Sequence, residues 1–502
     1  MLVSLQGIVN QGHPSLYLVF SDAHLKWLNW YKEKGYIESY EEVKDIRGLI
    51  QKQYRKCIRG AIIYDPSFPV TINVATTLAG IEKGLICTEK MANEYNLPLL
   101  EDLRGRWKRK ADAYEWMYKE LWPKLNHNII AFQPPLTFAQ GDYVIQHKLF
   151  TFWISGDAEA KQPGSSIKDE TAFAEKILKE MPPNTPVIGF PYAGEGIGPG
   201  ELPGIALFTR FAKYDICGCP NISVHSAIKI SKLKQNKKPP KITLQKDKTY
   251  VAFIISDGDN MSCWDTHHLR SWYQNQRGEI PINWNVMPAT IDLIPGIMEY
   301  YYETASENDY FICAGSGIGY ANPYPYGKEY PESDKILKDY IELLSWYMGR
   351  MDLTILNQYH LLLLFWGASD QLERVKDILS LYVESIPKLK AIYPDYCRVP
   401  GMNYPKSNYL LNGVPVFHAL TQFNYLGLRI RHEKDVGDRV KELRRYAPKE
   451  PPGFINAFLV NWHFQPKDIE KMLKDAGPKF IPVRADAMAD LYLGFKSESG
   501  VD

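Results

Sequence analysis

Charge of one sign is what this sequence most conspicuously lacks. Its 59 lysines and arginines face 58 aspartates and glutamates, for a formal charge of +1, so no global field draws it to nucleic acid or an anionic membrane. Neither is expected as a partner. Cysteine is scarce as well: seven in 502 residues are too few, and odd in number, for a disulfide framework. The one close pair, Cys217-Gly-Cys219, has neither redox nor zinc-knuckle spacing. Long apolar runs are missing, and stretches such as Tyr359 to Trp366 fall far short of the roughly 20 residues that cross a bilayer. The absence of a GxSxG elbow, a P-loop and an HExxH helix argues against serine hydrolase, phosphate-loop NTPase and zincin chemistry. The residues from Met1 to Asn10 lack the charged start, apolar core and cleavage site of a signal peptide. The expectation is a cytoplasmic protein, or an exported one if a leader precedes this sequence.

With 45% hydrophobic residues the chain can bury a large core, and its length predicts more than one domain. Apolar runs alternate with helical patterns from the start: Leu16 to Phe20, a helix near Tyr40 to Tyr54, Ala61 to Tyr64, a helix near Thr71 to Glu82. That alternation is the mark of βα units around a parallel sheet. Between Ser231 and Lys248 the sequence turns Lys-rich and contains Pro239-Pro240, reading as a solvated connector or a long surface loop. The predicted division is therefore an N-terminal α/β domain over 1–235 and a C-terminal domain over 249–502. In the latter, strands are predicted at 250–255, 282–287, 309–313, 359–366, 414–418 and 454–460. Helices are predicted near 265–276, 295–306, 334–347, 370–383, 434–445 and 466–475. About seven strands with intervening helices suit a (β/α) barrel, complete or incomplete, better than a small open sheet.

Two strand ends carry the chemistry. Tyr250-Val-Ala-Phe-Ile-Ile255 breaks into Ser256-Asp-Gly-Asp-Asn260, and Asp309-Tyr-Phe-Ile-Cys313 breaks into a loop running from Ala314 to Tyr326. Side chains two apart on an extended segment point the same way, so Asp257 and Asp259 would share one small volume. Their repulsion then needs a cation, donors such as the Asn260 amide, or a retained proton. The plainer alternative is a turn in which an aspartate caps the next helix and Gly258 supplies a special backbone angle. In the second loop, Gly315, Gly317 and Gly319 fail the dinucleotide fingerprint, because Tyr320 stands where its third glycine belongs and Pro323 and Pro325 block the helix. What remains is a set of phenols, Tyr320, Tyr324 and Tyr326, suited to stacking on a sugar face while hydrogen-bonding its hydroxyls, or to closing the core. Trp264, just after the acid loop, joins Asn260 and these tyrosines as a candidate substrate-binding residue.

Together the two loops resemble the family of proposed glycoside hydrolases named for its GxGYxYP motif. Further matching stretches are Ser4 to Asn10, Val74 to Ile81, Asn221 to Ser226 and Tyr300 to Phe311. The naming motif departs from the family's pattern: Gly317-Ile-Gly-Tyr320 is followed by Ala321-Asn-Pro323 before Tyr324-Pro325, two residues more than the pattern has. The resemblance implies an N-terminal α/β domain joined to a catalytic C-terminal domain acting on carbohydrate.

Glycoside hydrolysis uses two carboxyl groups about 5 to 9.5 Å apart across the scissile bond, and two acids on one strand end do not easily straddle a sugar. Glu195, in the Gly-rich loop Tyr192 to Gly198 after an apolar run from Val187 to Phe190, is the first choice for the counterpart. Its alternative is a flexible surface loop. His463, at the end of the strand leading to Val460-Asn-Trp-His-Phe464, is a candidate acid/base, or a structural histidine among aromatics. Asp292, Glu201 and Asp370 are weaker, the last better suited to capping the helix after it. His225 and His418 have no supporting pattern, and His267-His268, being adjacent, cannot both face one metal. The leading expectation is a glycosidase with Asp257, Asp259, Glu195 and His463 as catalytic candidates and no cofactor. The alternatives are a metal-dependent carbohydrate esterase or deacetylase with a divalent ion at Asp257 and Asp259, and a carbohydrate-binding protein without catalysis.

Overall fold

The computed structural model describes residues 1–135, 139–191, 198–235, 241–315, 317–358, 372–394, 408–417 and 436–499. The chain forms two compact units. The first comprises Met1–Lys229 with Asp292–Ile297 and Gly327–Ser333, and the second comprises Ile230–Ile291, Met298–Tyr326 and Asp334–Asp502.

The first unit holds two parallel sheets. Strands β1 (Gly60–Ile63), β2 (Gly84–Cys87) and β3 (Leu99–Asp102) lie in the order β2-β1-β3. Strands β4 (Ile130–Phe132), β5 (Thr151–Phe152), β6 (Thr185–Gly189) and β7 (Lys213–Ile216) lie in the order β5-β4-β6-β7. The helix Val70–Glu82 has buried residues on every face of its first eleven positions, which explains why that stretch shows little amphipathic contrast.

Leu16 to Phe20, expected as a strand, pairs with no strand among the described residues. Side chains take the place of a partner strand. Asn10 Oδ1 accepts from the Ser15 and Leu16 amides at 2.9 and 3.0 Å, and Asn221 both accepts from the Leu18 amide and donates to its carbonyl at 2.9 Å. Gln6 Nε2 completes the lattice by donating to Asn221 Oδ1 at 2.7 Å and to Leu16 O at 3.2 Å. A segment whose amides are satisfied this way has no need of a ladder. The helix expected near 40–54 shrinks to Ile46–Gly48 followed by a wide turn, Leu49–Gln53, and a tight one, Arg55–Cys57. Residues 39–45 are exposed, without an apolar face to bury.

Among the described residues, the second unit is built on one nine-stranded sheet. Its members are β8 (Thr249–Ile255), β9 (Ile282–Val286), β10 (Asp309–Cys313), β11 (Ile355–Gln358), β12 (Ala391–Pro394), β13 (Tyr409–Leu411), β14 (Val414–Val416), β15 (Gly453–Leu459) and β16 (Phe480–Pro482). The order is β13-β14-β12-β11-β10-β9-β8-β15, with β16 also on β8. All pairings are parallel except the β13–β14 hairpin, whose Asn412-Gly413 turn has positive φ at both residues, the geometry that matches strand twist. The result is a curled half-barrel; among the described residues its path ends at β13 and β15, which do not pair. Strand β8 runs beside β15 over its whole length. Its other edge is shared, with β16 at Thr249 to Val251 and β9 at Ile254 and Ile255. Asn283 Nδ2 supplements that short β8–β9 ladder by donating to Phe253 O at 2.9 Å.

Of the other predicted elements, 359–366 lies outside the described residues. The helix expected to reach 276 consists of a wide turn, Cys263–His267, and a short helix, His268–Trp272. Arg277 Nε donates to Trp272 O at 2.7 Å and satisfies a carbonyl left over at its end.

Candidate functional site

At the carboxyl end of β8 the chain must leave a fully buried strand within a few residues, and Gly258 makes this feasible. Its φ is +61°, and a Cβ there would lie 2.4 Å from Asn461 Nδ2 and 2.7 Å from Cys263 Sγ. Only glycine fits that angle and that space. Asn461, in the turn after β15, is the bracket on the other side: its amide nitrogen donates to Ser256 Oγ at 3.0 Å and its Nδ2 to Cys263 Sγ at 3.5 Å. The Asp259 amide donates to the same sulfur at 3.3 Å. Burial, reinforced by Asp259, pushes the Cys263 thiol up to about 12, so it stays neutral beside the acids.

The two aspartates sit in different surroundings. Asp257 is 1% exposed and accepts a hydrogen bond from the Tyr320 hydroxyl at Oδ2, 2.8 Å away. That hydroxyl also touches the Gly258 carbonyl. Asp259 is only half-buried, and burial raises its carboxyl above the ordinary carboxylate range. Asn260, at φ +47°, directs its Nδ2 to Met287 Sδ, while its Oδ1 has no hydrogen-bond partner among the described residues.

Tyr320 arrives from the loop after β10, across β9 from β8. Gly317 shapes that loop, because a Cβ there would coincide with the Tyr340 hydroxyl at 1.8 Å, and the same hydroxyl accepts from the Ile318 amide at 3.0 Å. The structure thus brings Asp257, Tyr320 and the Gly258–Asn461 contact together as one cluster.

Several sequence expectations need correction. Trp264 is not in a binding wall: it is 0% exposed, and its ring packs on Tyr301 at 4.7 Å and His268 at 4.3 Å beneath the sheet end. Tyr320 and Tyr326 are each 2% exposed. The first is a hydrogen-bond donor to Asp257, and the second stacks on Tyr340 at 4.6 Å, so neither ring offers a face to a sugar. Burying a phenol ring removes far more apolar surface from water than loop exposure would. Tyr324 is half-buried, its amide donating to Asn322 Oδ1 at 3.1 Å.

His463 is half-buried in the same turn as Asn461, its amide donating to Val460 O at 3.0 Å. His225 is a buried structural residue, hydrogen-bonded through Nδ1 to the Tyr31 hydroxyl at 2.6 Å; burial lowers its pKa to about 3. His268 is likewise held neutral by burial, with a pKa of about 3, and His267 Nε2 bonds the Asn461 carbonyl at 3.2 Å. Glu195, Asp370 and His418 lie outside the described residues. Glu201 begins the helix Glu201–Arg210. Asp292 lies in the short helix Thr290–Leu293. Among the described residues, no three His, Cys, Asp or Glu side chains gather closely enough to hold a metal ion.

Asn461, Cys263 and Trp462 escaped the sequence reading, and His267 was weighed only as a metal ligand beside His268. Asn461 and Trp462 are polar and aromatic residues following a buried strand, the same pattern that marks residues 256–260. The His267 contact depends on β15 lying beside β8, which no local pattern encodes.

Comparison with protein families matches residues 247–493 to the "GxGYxYP putative glycoside hydrolase C-terminal domain". It matches 1–55, 58–125 and 127–227 to the first, second and third N-terminal domains of the same family. A search of curated proteins finds no match. Among solved structures, a "putative hydrolase from Bacteroides thetaiotaomicron VPI-5482" superposes with a TM-score of 0.79 at 20% identity, covering 98% of this chain and 92% of that one. At that identity the likeness speaks for the fold.

Proposed function

This chain belongs to the GxGYxYP family, and from that premise we propose that it hydrolyses glycosidic bonds, with Asp259 as the proton-donating carboxyl. The observation that carries the reading is the contrast between the two acids on one strand end. A pair of carboxyl groups whose environments differ is how one site divides acid work from structural or electrostatic work. Asp259 is only half-buried and holds its proton more tightly than a free carboxylate, which suits protonation of a leaving glycosidic oxygen. Asp257 is sealed in and bound by Tyr320; its part is to position the loop and the phenol. The family's name and the description of the structural neighbour as a hydrolase support the same class of reaction.

The test is release of reducing sugar from a panel of oligosaccharides by the full-length protein and its variants. Asp259→Asn is expected to lower turnover about 10²- to 10⁴-fold, the usual worth of a general acid. Because Asp259 works protonated, the rate should fall as pH rises through its raised pKa. Turnover unchanged in Asp259→Asn removes the proposal. Acetate release that chelator abolishes would move the site to the esterase class, and tight glycan binding without turnover to the non-catalytic one.

A further inference from the structure

The turn after β15 places one large apolar side chain in the open at the edge of this site. Trp462 is 48% exposed, although the chain is anchored on either side of it: at Asn461 against Ser256 and Cys263, and two residues on at Phe464, in the core at 2% exposure. Single exposed apolar side chains are ordinary on protein surfaces, and others in this unit, such as Tyr273 and Trp346, need no explanation. Trp346 too has a packed ring, on Tyr347 at 4.9 Å and under the Arg350 guanidinium at 4.7 Å; what marks Trp462 is the combination of two observations.

First, its ring is fixed. It lies against the His267 imidazole with centroids 4.6 Å apart at an interplanar angle of 55°, and His267 is in turn held by its Nε2 contact with the Asn461 carbonyl at 3.2 Å. Burial, the largest cause, lowers the His267 pKa, so the partner is a neutral ring at pH 7. An exposed aromatic already immobilised on one side loses little conformational freedom on taking a ligand on the other. Second, it is close to the reacting carboxyl. Asn461 is its chain neighbour, Gly258 is the neighbour of Asp259, and the Asn461 amide abuts the Cβ position of Gly258 at 2.4 Å. Following that path, with about 3.8 Å per residue step, bounds the separation of the two Cα atoms at about 15 Å.

We propose that Trp462, backed by His267, is the stacking platform of the site, receiving the C–H face of a neutral pyranose one or two rings from the bond at Asp259. This rests on the carbohydrate reading of the site and adds the substrate class: uncharged oligosaccharides with an unobstructed ring face. The indole presents polarisable π-surface, which binds one face of a sugar while leaving its hydroxyls to water and polar groups.

The experiment is calorimetric titration of the full-length Asp259→Asn protein with cellotetraose, xylotetraose, mannotetraose and maltotetraose. At least one should bind. Adding Trp462→Ala should weaken that binding tenfold or more, while Trp462→Phe should stay within about threefold of the parent. Because about half of the side chain is exposed and its packing is confined to the His267 ring, Trp462→Ala should lower the thermal midpoint by no more than about 4 °C, which separates lost contact from lost fold. Equal affinity with and without the indole overturns the platform, as does failure of all four probes to bind the parent and the wild type. The two proposals fail separately. Hydrolysis that depends on Asp259 with affinity indifferent to Trp462 removes only the platform, whereas Trp462-dependent binding without turnover removes only the hydrolase.

Discussion

Gln6, Asn10 and Asn221 in the first unit commit their amides to one another and to the main chain from Ser15 to Leu18. In the second unit, Asn260 keeps an oxygen without a partner among the described residues and Asp259 is only half-buried, its carboxyl raised by burial. Both groups lie in stretches that carry the family resemblance, and their amino-acid types are nearly the same. The difference is in what is left over. Where the amides are spent on one another and on the main chain, the group is architecture. Where an oxygen is left over beside a raised pKa at a strand end, the residues match the pattern of a functional site.

The comparison breaks most visibly if the first group can be removed cheaply. Asn221→Leu strips partners from Gln6 and from both main-chain groups of Leu18 and puts a branched side chain at φ +63°. The expected loss is about 4 kcal/mol in urea unfolding, and a loss under about 1 kcal/mol would show that the lattice is not structural.

The next effect is one of pH. Asp142 accepts from the Ser223 amide at 2.9 Å at the rim of this lattice, and burial, the largest cause, raises its pKa to about 6. A carboxyl whose folded pKa is raised contributes stability below its unfolded value near 4 and loses it as pH rises through 6, about 3 kcal/mol in all. Asp142→Asn should flatten that slope between pH 4 and 7 in chemical unfolding.

The smallest change to the fold sharpens the other side. Tyr320→Phe removes the donor to Asp257 and Gly258 and should cost only about 1–2 kcal/mol of stability. Its rate should fall about tenfold or more in the sugar-release assay, because the acid loop loses its tether. A rate left unchanged would place Tyr320 with the architecture.

Five of the nine strands described in the second unit, β8, β9, β10, β14 and β15, were legible, since a short apolar run rich in β-branched and aromatic residues such as Tyr250 to Ile255 is too short for a helix, whereas β11, β12, β13 and β16 were not. Neither were segments held by side chains. Leu16 to Phe20 has the composition of a strand, and only Asn10 and Asn221, far apart in the chain, determine that it pairs with none. At the site, the acids and Tyr320 could be named from strand ends, but their division of labour could not. Whether a tyrosine ring faces solvent or donates to a carboxylate depends on which loop lies opposite.

By itself, the sequence determined the chemistry available at the end of β8: two carboxyls around a glycine, set on a strand too apolar to be anything but core. It likewise supplied the glycines of the loop after β10, of which Gly315 takes a φ of +67° and Gly317 leaves no room for a Cβ. Tertiary structure alone decided that β15 lies along β8, bringing Asn461 onto Gly258 and leaving Trp462 exposed beside His267. The reason is physical: strand order is set by which buried faces pack together over long sequence separations, and a local pattern carries the faces but not their partners.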